Sequence, residues 1–124
     1  MNEADRKEVL FQAVRVFGEK SQIRMAIEEM SELIKALCKL ERADTMAESD
    51  KAVGNVIEEM ADVQIMLDQL RIIFKTDAKA VEDVKLDRLV RRIVVKDARD
   101  CALRFSLLEE GYAREKKKEA RESE

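Results

Sequence analysis

The heptapeptide Ile27-Glu28-Glu29-Met30-Ser31-Glu32-Leu33 returns thirty positions later as Ile57-Glu58-Glu59-Met60-Ala61-Asp62-Val63. Residues three or four apart share one face of an α-helix, so Glu29 with Glu32, and Glu59 with Asp62, each project as a pair of oxygen donors. Two such helices packed together bring four carboxylates to one place, and carboxylates ~4–6 Å apart repel by roughly 3–4 kcal/mol at an effective dielectric of about 20. A cation must offset that repulsion. Glu32 can reach Lys35, but Ala52 to Leu70 contains no Lys or Arg, and Glu58, Glu59, Asp62 and Asp68 are expected to lack a basic neighbour one helical turn away. The pattern points to a metal site.

The absence of histidine removes the Glu-x-x-His signature of di-iron bundles and disfavours zinc catalysis. Acids on continuous helices do not make the loop that an EF-hand requires. All-oxygen ligation favours Mg²⁺, with Mn²⁺ as a substitute. Magnesium held by carboxylates keeps positions open for water and phosphate, so the expected substrate class is a small molecule carrying several phosphates.

Helices must position these groups. With 124 residues, no Pro, three Gly and 41% charged residues, the composition fits one all-α domain. Apolar periodicity predicts helices over about Asp5 to Phe17, Ser21 to Arg42 and Ala52 to Phe74, with Gly18 as a stop and Ser21 as a cap. Ala43 to Lys51 reads as a polar connection, short enough to fold the third helix back antiparallel. On the second helix Glu29 falls at the edge of the apolar stripe and Glu32 nearer its back. The third helix is apolar almost all round, so Glu59 and Asp62 are expected to face a protein-lined cavity. A fourth helix, capped by Thr76 or Asp77, is expected to end near Val95. A fifth segment starts near Asp97, and the tail after Gly111 is expected to be solvated or frayed.

Only five aromatic residues are present, so the core is expected to rest on aliphatic side chains, with Phe11 and Phe17 among them. The architecture expected is an all-α helical bundle with antiparallel metal-site helices and a core completed by oligomerisation, as a homodimer or homotetramer. A net charge of −3 gives no overall attraction to nucleic acid, and no stable nucleic-acid binding is expected. With no apolar leader and no stretch long enough to span a bilayer, the expectation is a soluble, cytoplasmic protein without membrane contact. Cys38 and Cys101 lie in amphipathic patterns and read as buried thiols.

The sequence Glu28-Glu29-x-x-Glu32, followed after twenty-six residues by Glu59-x-x-Asp62, resembles the MazG-like all-α nucleoside triphosphate pyrophosphohydrolases, as does the approach Phe17-Gly18-Glu19-Lys20-Ser21-Gln22. The resemblance covers roughly residues 9 to 93, and residues 1–95 are taken as that domain, with 96–124 as an amphipathic helix and charged tail. It implies hydrolysis of a nucleoside triphosphate to nucleoside monophosphate and pyrophosphate, serving nucleotide pool control or clearance. Carried over by motif position, Glu29, Glu32, Glu59 and Asp62 are Mg²⁺ ligands, and Glu28 or Glu32 orients or deprotonates the attacking water. Lys85 and Arg88 face the phosphates, while Gln22 touches base or ribose, although a polar residue just after a capping serine is more often simply exposed. Two other readings stand beside it: a non-enzymatic helical interaction module, and a Mg²⁺ site acting on another phosphorylated metabolite.

Overall fold

The computed structural model describes residues 1–123, which form four helices and, among these residues, no strand. They are α1 (Glu3–Phe17), α2 (Glu19–Glu41), α3 (Met46–Ile73) and α4 (Lys79–Glu122). The all-α expectation holds. The chain divides into two compact units, Met1–Asp77 and Ala78–Glu124.

In the first unit each helix start is chemically specified. Asn2 caps α1 by accepting from the Asp5 N–H at 2.8 Å. Gly18, at φ 88°, donates its N–H to the Val14 carbonyl and accepts from Gln22, so it closes α1 and opens α2. Only glycine takes that backbone conformation readily. Ser21 therefore lies inside α2 and does not cap it. The polar connection shrinks to Arg42–Thr45, because Thr45 Oγ1 accepts from the Glu48 N–H at 3.1 Å while Glu48 Oε2 accepts from the Asp44 N–H at 3.0 Å. This variant of the capping box starts α3 six residues earlier than the periodicity predicts.

The helix α3 packs chiefly on α2, with smaller contacts from α1 to both. Gln22 of α2 bonds Gln69 of α3, whereas Glu29 of α2 meets Glu59 and Asp62. One helix advances as the other retreats, so the two run antiparallel.

The core is small: Leu10, Val14, Ala26, Ala36, Ala52 and Met66 are its buried apolar residues, and among the described residues no large side chain is completely enclosed. Phe11 and Phe17 are exposed, against expectation: Phe17 is the last residue of α1, and Phe11 stands in the wall of an open groove beside α3. Cys38 and Cys101 are likewise exposed. The small residues Ala26 and Ala36 occupy the close approach on α2, and Cys38 falls outside it, while none of the residues of α4 is buried.

The second unit corrects the expected pair of helices. The helix α4 is continuous for 44 residues and runs through both the expected break near Asp97 and Gly111. No proline interrupts it, and a single interior glycine costs only about 1 kcal/mol among good helix formers. The tail also carries i,i+4 ion pairs, Arg114 with Glu110 at 3.6 Å and Lys118 with Glu122 at 3.9 Å. The N-cap position of this helix is Ala78, in a left-handed conformation, one residue beyond the expected Asp77. Among the described residues, no helix is long and apolar enough to cross a membrane.

Candidate metal centre

Antiparallel packing of α2 on α3 brings together a ligand oxygen from each of Glu29, Glu59 and Asp62, all within 4.8 Å of one another. Oxygens around an octahedral Mg²⁺ at about 2.0–2.1 Å stand roughly 3–4 Å apart, so oxygens within 4.8 Å would have to draw closer by small side-chain shifts to share one ion. The donor set consists only of hard carboxylates, as Mg²⁺ or Mn²⁺ prefers. Glu29 and Glu59 are half-buried and Asp62 is exposed.

The cluster opens to solvent within a single chain, which corrects the expectation of a protein-lined cavity. The physical reason lies in its surroundings: Ile57, Met60 and Ile65, which flank the acids on α3, are themselves exposed. Within the first unit, α1 and α2 leave these side chains uncovered.

The electrostatic cost falls on Glu29. Partial burial raises its carboxyl above the ordinary value of 4.5, and the charges of Asp62, Glu59, Glu28 and Glu32 push it further in the same direction. Glu32 lies one turn along α2, outside the three-residue group and exposed, as its place on the helix wheel implies. It bonds Lys35 at 3.2 Å. Glu28 and Glu58 are exposed beside the cluster.

Asp68 departs from the acidic pattern. Its carboxylate receives Arg6 from α1 and Arg71 from its own helix, each at 2.5 Å. Burial raises the Asp68 pKa, but hydrogen bonds from Arg6, Arg71 and Gln64 outweigh it and hold the carboxyl below its ordinary 3.8. Arg71 stands just beyond the stretch without bases, three residues from Asp68, and the pairing makes Asp68 structural. A groove of about 650 Å³ lies beside this ion pair, with Leu10, Phe11 and Ile72 in its wall.

Gln22 is 6% exposed and Gln69 4%, and the Gln22 amide donates to Gln69 Oε1 at 2.6 Å. Gln22, expected to touch base or ribose or else to lie exposed, is thus buried in the α2–α3 seam. Gln69 escaped the sequence reading, although its spacing from Met66 and Ile73 placed a polar group in the apolar stripe.

Lys85 and Arg88 belong to the second unit, where they share an exposed basic face of α4 with Arg91 and Arg92. In comparisons with known proteins, no family model, no curated protein and no solved structure matches the chain.

Proposed function

We propose that the protein is a Mg²⁺-dependent hydrolase that cleaves nucleoside triphosphates to monophosphate and pyrophosphate. The observation that carries this reading is the convergence of Glu29, Glu59 and Asp62 from two helices, with the Glu29 pKa raised by partial burial and by its acidic neighbours. The choice of the α–β bond follows the resemblance of the two acidic motifs to the MazG-like enzymes.

Glu29, Glu59 and Asp62 would hold the metal. Bound there, Mg²⁺ would neutralise phosphate charge and lower the pKa of a bound water. Glu32 must release Lys35 to join them, and it or Glu28 accepts the proton of the water that attacks the α-phosphorus. The bridging oxygen leaves with pyrophosphate. The resemblance to the MazG-like enzymes alone would give Lys85 and Arg88, on the second unit, the role of supplying positive charge to the phosphates. The buried Gln22 acts from within the α2–α3 seam by holding register. The exposed apolar flank of α3 supports a homodimer or homotetramer that covers the site.

Product identity tests this. With Mg²⁺ the wild type yields monophosphate and pyrophosphate, and Glu59→Gln does not; diphosphate and orthophosphate from the wild type would contradict the assigned bond. The second reading, a helical interaction module, draws on the wholly exposed apolar residues of α4. It predicts no turnover of any triphosphate.

A further inference from the structure

The helix α4 carries a second organised surface, built from residues that the acidic cluster does not use. Val94, Ala98, Cys101, Phe105, Leu108 and Tyr112 follow one another at steps of four, three, four, three and four. That is the a/d spacing of a coiled coil, with Val94, Cys101 and Leu108 at d and Ala98, Phe105 and Tyr112 at a. The residues are helical and exposed; Phe105 is 65%, Leu108 73% and Tyr112 62% accessible. A seam of aromatic and aliphatic side chains left in water is the signature of a missing partner helix.

The seam is tapered. Its three small members lie in the N-terminal half and its three large members in the C-terminal half. Two parallel copies would set Ala98 against Ala98 and Phe105 against Phe105, leaving a void in one layer and crowding in another. Two antiparallel copies related by a two-fold axis near residue 103 match small to large in every layer: Cys101 with Phe105, Ala98 with Leu108, and Val94 with Tyr112.

Charge selects the same arrangement. The next a position before the seam is Arg91 and the next d position after it is Glu115. In the antiparallel register they oppose each other at both ends, whereas a parallel pair sets Arg91 on Arg91 and Glu115 on Glu115. Each like-charge approach is unfavourable, and each opposite pair contributes modestly at an exposed rim. Arg104 meets its own copy near the axis, with Asp100 one turn away on each helix to offset the repulsion.

We infer that α4 is a homotypic docking element, and that residues 91–115 pair with the same residues of a second copy as an antiparallel coiled coil. The interface is isologous, so it closes as a dimer.

Site-directed cross-linking of the full chain tests both occupant and direction. In a Cys38→Ala, Cys101→Ala background, Ala98→Cys and Leu108→Cys are introduced singly and together, and diamide serves as the oxidant. Within one helix these positions are about 15 Å apart and cannot bridge. The paired variant is expected to give a covalent dimer reversed by dithiothreitol, at a yield that holds on tenfold dilution, and each single variant to remain monomeric on a denaturing gel. Efficient dimer from Ala98→Cys alone would mean a parallel pair and overturn the register. No dimer from the paired variant, with helical circular dichroism retained, would overturn the interface itself. The readout follows position and not mass, so a separate contact through α1–α3 does not change it.

Discussion

Gln22 and Gln69 are joined by a 2.6 Å hydrogen bond inside the seam between α2 and α3. Gln22 lies two helical turns along α2 from Glu29, about 10 Å at 1.5 Å per residue. A polar pair in so small a core fixes the axial register of the two helices, and that register sets Glu29 against Glu59 and Asp62. Replacing one partner leaves a buried amide unpaired, which costs about 1–3 kcal/mol. Gln69→Leu is expected to destabilise by that amount, and Gln22→Leu with Gln69→Leu by less than the sum of the single changes. Chemical denaturation of the double-mutant cycle measures the coupling; strictly additive losses would show that the pair does not act as a unit.

Asp68 gives the fold an acid-sensitive tie. Its folded pKa lies below 3.8, so its contribution is complete above the ordinary carboxylate value and fades as pH falls through the lowered one. Asp68→Asn should remove about 1–2 kcal/mol at neutral pH, the scale of a charged hydrogen bond reduced by solvent screening. The variant should also lose less further stability on acidification than the wild type. Melting curves from neutral pH to below 3.8 check this.

Glu29 works in the opposite sense. A carboxyl held above 4.5 in the folded chain binds its proton more tightly there than in the unfolded chain. Stability from this group therefore falls as pH rises from 4.5 through the raised value, and the penalty persists at neutral pH. Mg²⁺ in the cluster should reverse it, raising the melting temperature more at neutral pH than in acid. Glu59→Gln should match or exceed wild-type stability without metal and lose most of the Mg²⁺-induced increase. An equal Mg²⁺ response in wild type and variant would place the ion elsewhere.

Glu32 separates ligation from proton handling. It stands outside the three-residue group and is paired with Lys35. Glu32→Gln is expected to lower turnover by about 10²–10⁴-fold, the range of general acid–base catalysis, with a smaller loss of Mg²⁺ affinity than Glu59→Gln causes. Titrating activity against free Mg²⁺ for the two variants distinguishes these effects.

The site was more legible in the sequence than the packing around it. Spacing alone placed Glu29 at the edge of the α2 stripe, and the same spacing joined Glu59 to Asp62, because helical periodicity fixes which side chains share a face. It did not reveal which neighbours arrive from other helices, so Arg6 reaching Asp68 was invisible, although Arg71 was only three residues away. The fifth segment expected to start near Asp97 had no proline or glycine there to end the fourth, and the apolar stripe from Val94 through Ala98 to Cys101 continues the helix. The Thr45–Glu48 capping pattern lay in a polar segment that periodicity does not sense. Burial of Gln22 and Gln69 depended on their pairing across two helices, a tertiary event with no local signal beyond a polar residue in an apolar stripe.

The most direct test of the central claim is pyrophosphate release from a panel of ribo- and deoxyribonucleoside triphosphates with Mg²⁺, with EDTA, and with Glu59→Gln. Pyrophosphate and monophosphate should form with Mg²⁺, stop with EDTA, and fall on the order of 100-fold or more in the variant, the scale on which loss of one charge-stabilising group acts. Turnover that persists in Glu59→Gln, or no release from any triphosphate, would contradict the assignment of the acidic cluster as a hydrolytic metal centre.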